Sequence, residues 1–188
     1  MKWIIVILTL LITTPSVAAQ YTHGIAINPF RLFINPTSLS GGGETYTGTY
    51  SIFNKEQGIE HALPVLYASQ KNDNNPLDLF TAEYQWRKYV QPMNDGINVY
   101  WGGFTKVAYI EAITRNNYEL DSTVKLGVGA VLGWTYFKNN AYLSGNIQFG
   151  RYISGENSHF SHPSVNFTDK NDRALIVSIE LFKFGYNF

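Results

Sequence analysis

The chain has 188 residues, a formal net charge of zero and a hydrophobic fraction of 45%. A neutral chain lacks the basic footprint of a nucleic-acid-binding protein, so no nucleic-acid partner is expected. Because the sequence contains no cysteine, disulfide bonds, thiolate metal sites and a cysteine nucleophile are excluded.

The first 19 residues have the order of a secretory signal peptide. Lys2 precedes an apolar run from Trp3 to Ile12, and small residues follow as far as Val17-Ala18-Ala19. We therefore predict a signal peptide at 1–19, followed by a single domain at 20–188. No segment approaches the roughly 20 consecutive apolar residues that a membrane-spanning helix requires. The mature chain must then enter a membrane with strands, and a soluble periplasmic β-protein is the alternative.

Alternating hydrophobicity predicts strands along the first half of the domain, separated by Gly, Pro, Asn and Asp clusters. Ile25–Ile34 is the weakest of these strands, because Pro29 has no N–H to donate to a ladder. The next three are predicted over Glu44–Phe53, Gly58–Ser69 and Leu77–Val90. In the last of them Phe80, Ala82, Tyr84 and Trp86 face one way, and the other face carries Thr81, Glu83, Gln85 and Arg87.

The middle of the chain has the clearest alternation. In Ile97–Ile113 the position of Lys106 puts Trp101, Thr105, Val107 and Tyr109 on the outer face. Two long strands then flank a turn at Phe137–Asn140. Their apolar face carries Val124, Leu126, Val128, Ala130, Leu132, Trp134, Tyr136, Leu143, Ile147 and Phe149, and their opposite face is small or polar. The pattern predicts lipid outside and a polar lumen inside, the reverse of a soluble sandwich.

The last strand, predicted within Asp172–Phe188, has an aromatic residue at every second position up to the terminus: Phe182, Phe184, Tyr186 and Phe188. A strict period of two puts Glu180 on this outer face and Val177, Ile179 and Leu181 on the inner face with Lys183. The aromatic pattern resembles the last strand of bacterial outer-membrane β-barrel proteins, and Glu180 departs from it. In that family the terminal strand is the signal that the barrel-assembly machinery reads.

Eight strands in total predict an all-β fold, an eight-stranded antiparallel transmembrane up-and-down β-barrel that closes every edge. The connections at Asn54–Gln57, Gln91–Gly96 and Phe137–Asn140 are short, and the alternate ones are mostly longer. The chain resembles the outer-membrane-protein-X and opacity type of small barrel. That resemblance implies the bacterial outer membrane as location. It also implies contact with outer-membrane lipid and lipopolysaccharide, and the assembly machinery as a partner during biogenesis.

The interior of an eight-stranded barrel is only wide enough for side chains, so an open pore is not expected. The inward charges on these registers are Arg31, Glu60, Glu83, Arg87, Lys106, Lys125 and Lys183. Ions in so narrow a space must pair, because an unpaired buried ion costs several kcal/mol. The favoured interpretation is a structural salt-bridge plug. The alternative is a lumen with surplus positive charge that admits an anion or a polar headgroup.

The longest connection, Ser154–Lys170, contains His159 and His162, a spacing that can converge on a metal in a turn. Histidines in a polar loop are more often simply solvated, so no metal and no cofactor are predicted.

His162-Pro163-Ser164 resembles the His-x-Ser pair of the outer-membrane lipid A 3-O-deacylases. The resemblance implies Ser164 as nucleophile, His162 as base and Glu180 as the group that orients the histidine. It is confined to these residues. The predicted function is therefore a non-enzymatic barrel acting in envelope structure or interaction through its extracellular loops, by adhesion or by association with an envelope protein partner. A lipid A-modifying ester hydrolase is the first alternative, and a narrow channel or uptake barrel for a small molecule is the second.

Overall fold

Eight antiparallel strands form a sheet that closes into a barrel, each strand paired with its neighbours in sequence and the last with the first. A computed structural model describes residues 21–29, 43–70, 76–113, 120–154 and 175–188. The strands are β1 (Tyr21–Ile27), β2 (Gly43–Asn54), β3 (Ile59–Gln70), β4 (Leu77–Tyr89), β5 (Gly96–Ile113), β6 (Leu120–Lys138), β7 (Ala141–Ser154) and β8 (Leu175–Asn187). The predicted fold class is confirmed. Among the described residues no helix is long and apolar enough to cross a membrane.

The two ends of the barrel differ. At one end, called the turn end below, short turns join β2 to β3, β4 to β5 and β6 to β7; the opposite end is the loop end. The first two turns are bonded to each other, since the N–H of Met93 donates to the carbonyl of Lys55 at 2.9 Å. Gly58 has a φ of 62°, and a Cβ there would lie 2.9 Å from the carbonyl oxygen of Gln91. Glycine is therefore required where the two turns pack together.

The outer surface of the barrel is apolar and its interior is largely polar. Leu126, Val128 and Leu132 are 44%, 38% and 57% exposed, whereas Gln148 and Lys125 are 2% and 8% exposed. The side chains alternate between the two faces along the regular parts of the strands, as the pleat requires. In β5 the outward residues include Trp101, Thr105, Val107 and Tyr109, as the position of Lys106 predicts. The sidedness inferred from the sequence, apolar side chains outside and polar ones inside, is the sidedness of the structure.

The predicted first strand, Ile25–Ile34, is wrong in position. The observed β1 covers Tyr21–Ile27 and ends before Pro29. Cross-strand partners decide its position, since Tyr21 pairs with Asn54 of β2 and Ile27 pairs with Phe184 of β8. The alternation did not predict a strand over residues 21–24, because the polar residues Thr22 and His23 interrupt the apolar pattern. Arg31, predicted to point inward from the same strand, lies outside the described residues.

A β-bulge in β8 makes the predicted facing of its first half wrong. Ser144 of β7 pairs with Lys183 and Asn146 pairs with Glu180, so β8 carries one extra residue opposite Gly145. The extra residue lies at Leu181–Phe182, where Phe182 has a φ of 62° and both side chains are exposed. Such an insertion reverses the alternation on one side of it. The outward residues before the bulge are Val177, Ile179 and Leu181, and Glu180 points into the lumen.

Candidate functional site in the barrel lumen

The lumen contains a buried ion pair between facing residues of β3 and β4. Arg87 Nη1 lies 2.8 Å from Glu60 Oε1, and both side chains are 2% exposed. The carboxylate also accepts hydrogen bonds from Ser51 Oγ at 2.7 Å and from the Tyr89 hydroxyl at 2.8 Å. Thr135 Oγ1 lies 2.9 Å from the same Tyr89 oxygen and can donate to it. Both carboxylate oxygens are therefore satisfied, as a buried ion needs.

Gln85 links this pair to a second one nearer the loop end. Its Oε1 accepts from Arg87 Nε at 2.9 Å and from Nη2 at 2.6 Å. Its Nε2 donates to Glu83 Oε2 at 2.7 Å, and Glu83 Oε1 lies 2.8 Å from Lys106 Nζ. The Arg87 guanidinium also lies over the Tyr100 ring, 4.8 Å from its centroid. The four charged groups thus form one continuous hydrogen-bonded network rather than two separate pairs.

The bulge in β8 creates a third pair. It brings Glu180 and Lys183, three residues apart, to the same side of the strand, with Lys183 Nζ 3.2 Å from Glu180 Oε2. Asn146 Nδ2 donates to Glu180 Oε2 at 3.0 Å, and Gln148 Nε2 donates to Asn146 Oδ1 at 3.3 Å. Both ions are buried. Without the extra residue Glu180 would point outward, and Lys183 would lack this carboxylate.

The structure thus places six of the predicted inward charges inside the barrel. These six are two carboxylates, Glu60 and Glu83, and four basic groups, and Glu180, which was predicted to point outward, adds a third carboxylate. The sequence did not reveal which ions pair. Tyr89 and Tyr100 were also missed, although Tyr89 is two positions from Arg87 and Tyr100 is six positions from Lys106. An even separation along a strand puts residues on the same face and could have indicated both.

Aromatic rings fill the space that the ions leave, and they rest on glycines of neighbouring strands. A Cβ at Gly129 would lie 2.6 Å from Phe104 Cε1, and one at Gly133 would lie 2.5 Å from the Tyr100 hydroxyl oxygen. A Cβ at Gly185 would overlap the Tyr142 ring. The inward glycines are therefore needed for close approach of the rings. Together the rings and ions make the interior a packed core.

The turn end of the lumen is closed by an aromatic cluster. The Phe53 ring meets Phe137 and Tyr142 edge to face, each with centroids 5.6 Å apart. Met93, from the turn between β4 and β5, is buried in the same cluster. Edge-to-face packing of this kind adds to the free energy gained from burial. The described residues thus leave the turn end sealed by side chains.

Glu83 offers a direct test of the salt-bridge plug. Replacing Glu83 with alanine removes the carboxylate from Lys106 and a hydrogen-bond acceptor from Gln85. We expect the free energy of unfolding to fall by about 1–2 kcal/mol, in the range for hydrogen bonds to charged groups. Thermal unfolding in detergent measures the change, and Asp78→Ala on the outer side of the same strand is the matched control. An unchanged melting temperature for Glu83→Ala would contradict a structural role for the pair.

The catalytic candidates are not brought together by the described residues. His162 and Ser164, like His159 of the metal motif, lie outside them. Glu180, the predicted orienting group, lies in the lumen and is engaged by Lys183 and Asn146. Within the described ranges no group of three or more His, Asp or Glu side chains is arranged to hold a metal ion.

The aromatic residues of the terminal strand are all on the outer face. Phe182, Phe184, Tyr186 and Phe188 are 40%, 50%, 53% and 63% exposed. Phe188 extends the short seam between β1 and β8, because its N–H donates to the carbonyl of His23 at 2.8 Å. The His23 ring also stacks on Phe188, with centroids 6.3 Å apart. The last residue thus helps to close the barrel.

Outward aromatic residues form two bands. Near the loop end Tyr46, Tyr67, Phe80 and Tyr109 are consecutive partners across four strands. Toward the turn end Trp86 meets Trp101 edge to face at 5.6 Å. Aromatic girdles at both edges of an apolar band are typical of barrels that span a membrane.

Comparisons with known proteins agree with this geometry at the level of the fold. No family model matches the chain, and no curated protein matches it in sequence. Its structure is similar to the crystal structure of Neisserial surface protein A, with a TM-score of 0.51 and 9% sequence identity over 89% of this chain and 93% of that one. The chain has the fold of an eight-stranded outer-membrane barrel. At this identity the likeness carries no residue roles.

Proposed function

We propose that the protein is a small non-enzymatic barrel of the bacterial outer membrane that acts in envelope structure or interaction. The observation that supports this proposal is that apolar side chains lie on the outside of the barrel and ions lie inside it. Ile179 and Phe149 are 59% and 53% exposed, whereas Glu60 and Arg87 are 1% and 2% exposed. In water a contiguous apolar surface of more than roughly a few hundred Å² leads to association. In hydrocarbon the same surface needs no partner.

The proposed route to the membrane uses the predicted signal peptide and the outward aromatic residues of β8. Cleavage of the predicted signal peptide would release residues 20–188. The barrel-assembly machinery would then read the terminal aromatics, which are exposed on the outer face. An even number of strands keeps both termini on one side, so the turn end faces the periplasm and the loop end faces outward.

The interaction surface of such a protein is its loop end. The packed lumen favours a scaffold over a conduit, because rings and paired ions occupy the interior of the described barrel. Adhesion or association with another envelope component through the connections at 28–42, 71–76, 114–119 and 155–174 is the role that remains. A packed lumen also disfavours the narrow channel.

The ester hydrolase is also less favoured. Its nucleophile and base, Ser164 and His162, stay predictions outside the described residues. Glu180 already binds Lys183 and Asn146 in the lumen, and orienting a histidine would cost it these contacts. Mass spectrometry of lipid A from cells with and without the protein tests this reading, and loss of an acyl chain would support it.

Fractionation and conductance test the proposed location and scaffold role. We expect the mature chain in the outer-membrane fraction, a gel mobility that changes on heating, and no steady current in planar bilayers, because the lumen is packed. Steady single-channel currents would contradict the scaffold role. Recovery of the chain as a soluble periplasmic protein would contradict the location.

The partner is tested by affinity purification from outer membranes in mild detergent. A variant with residues 155–170 replaced by a short Gly-Ser turn keeps every described strand and serves as the matched control. A partner that co-purifies with the wild type and is lost from the variant supports an interaction through the loops. Equal recovery with both would place the contact elsewhere.

A further inference from the structure

We propose that the outer wall over β4 to β7 carries a discrete binding site for a phosphorylated glycolipid of the outer leaflet. Arg151 would bind a phosphate of the lipid, and one acyl chain would lie in an adjoining groove. The inference rests on the proposed outer-membrane location. Binding of this one lipid class would be in addition to the general contact that any outer-membrane protein makes with lipid.

The first element is a shallow groove of about 460 Å³ on the outer wall. It is lined mainly by outward side chains: Ala82, Tyr84, Thr105, Val107, Leu126 and Val128. The small side chains of Ala82 and Thr105 are in adjacent strands and are flanked by larger ones, which makes the depression. In hydrocarbon such a groove gains little from the hydrophobic effect, because lipid tails elsewhere are equally apolar. It selects an acyl chain by packing, and the affinity must come from a polar contact.

Arg151 is in place to supply that contact. It pairs with Val128 of the groove and lies two residues before Ile153, which also lines the groove. Its side chain is exposed between the outward residues Phe149 and Ile153, which are 53% and 55% exposed. On its other side it pairs with Leu175 of β8. Arg151 thus lies on the outer face of β7, in the strand next to the groove.

The depth of Arg151 fits a headgroup. It lies ten residues along β7 from Ala141 at the turn end. At a rise of about 3.3 Å per residue and a tilt of about 45°, that is about 23 Å along the barrel axis, close to the ~25 Å height of the apolar band of such barrels. With the turn end toward the periplasm, Arg151 reaches the headgroup level of the outer leaflet. A guanidinium there can bind phosphate through two parallel hydrogen bonds.

The charges on the other strands favour binding of the phosphate on the β7 side of the wall. At the loop end the outward residues of β2, β4 and β5 include Glu44, Asp78 and Glu111. Asp78 and Glu111 are direct cross-strand partners. These carboxylates repel a phosphate, so an anionic headgroup is favoured on the β7 side of the wall. The acyl chain below such a headgroup enters the groove.

Native mass spectrometry of the full mature chain in detergent, titrated with bisphosphorylated lipid A, tests the proposal. We expect the wild type to retain one lipid A molecule. Arg151→Glu, which reverses the charge, and Thr105→Trp, which fills the groove, should each lower the bound fraction at least fivefold. Lys138→Glu, at the turn end of β6, is the matched control and should bind as the wild type does. Dephosphorylated lipid A should bind the wild type as weakly as lipid A binds Arg151→Glu.

Other results would overturn either the site or the assignment of its lipid. Equal binding by Arg151→Glu and the wild type would overturn the site, and so would an equal loss in Lys138→Glu. Phosphatidylglycerol that binds as well as lipid A, with the same dependence on Arg151, would overturn the glycolipid assignment. If Arg151→Glu fails the heat-mobility test for folding, Thr105→Trp and Arg151→Lys decide, and the lysine variant should keep a reduced affinity. Fractionation of the wild type is scored separately, so a wrong location is distinguished from a wrong lipid site.

Discussion

Replacing Arg87 with methionine should lower the free energy of unfolding by about 3–5 kcal/mol, the usual cost of removing one partner from a buried ion pair. The reason is the carboxylate left behind. Glu60 is 1% exposed, and Ser51 and Tyr89 would be its remaining hydrogen-bond partners. Gln85 would also lose both donors to its carbonyl oxygen. Urea unfolding of the refolded barrel in lipid vesicles, followed by tryptophan fluorescence, measures the change.

The double variant Glu60→Gln/Arg87→Met is the informative control for this prediction. It removes both charges and should recover much of the lost stability, because no buried ion remains without a partner. Lys88→Met, on the outer face one residue away, controls for the loss of a positive charge from β4. If the single and double variants are equally unstable, the cost comes from packing around Arg87, and the ion-pair explanation fails.

Replacing Gly185 with valine should destabilise the barrel by about 3 kcal/mol or prevent its assembly, at the upper end of the usual cost of overpacking. The three nearest atoms to a Cβ at this position all belong to the Tyr142 ring. That ring cannot move aside freely, because it packs against Phe53 and Phe137. Heat-dependent gel mobility reports assembly, and urea unfolding reports the stability of the assembled fraction.

A double-mutant cycle isolates the contact behind this prediction. Tyr142→Ala alone should also destabilise, because it leaves a cavity. In Gly185→Val/Tyr142→Ala the valine can enter that cavity, so the two effects should sum to less than their separate values. Gly48→Val is the matched control, since a Cβ there would meet its nearest atom, Val65 Cγ2, at 3.8 Å. Strict additivity in the cycle would show that the ring is not what excludes a side chain at Gly185.

These effects bear on the proposed function because the packed lumen supports the strand ends from which the loop-end connections start. Arg87, Gln85 and Glu83 follow one another along the inner face of β4 and connect Glu60 to Lys106. A packed barrel of this kind holds the loop-end tips of its strands in fixed relative positions, which would suit the proposed interaction role. If the proposed function holds, variants that loosen the lumen are expected to weaken recovery of a partner in the affinity purification before they abolish the heat-dependent gel mobility of the barrel.

The alternation of residue types predicted much of the architecture, because successive residues of a strand point to opposite faces of the sheet. The apolar outer face of β6 and β7, from Val124 to Phe149, is visible as a period of two, and so is the inward facing of Glu83 and Arg87 on β4. The positions of the short turns follow from Asn, Gly and Pro clusters. The sidedness of the barrel, its strand number and its two unlike ends were thus determined by the sequence alone.

Tertiary structure decided the features that depend on a residue's partner in another strand. The bulge at Leu181–Phe182 turns Glu180 inward, and only pairing with β7 reveals it, since one extra residue reverses the faces without changing composition. The start of β1 follows from its partners in β2 and β8. The pairing of Arg87 with Glu60, and of the Tyr142 ring with Gly185, joins residues 27 and 43 positions apart, which are 87 − 60 and 185 − 142. Alternation along a strand determines the face on which a side chain lies. The pairing of strands in the closed sheet determines which residues it contacts there.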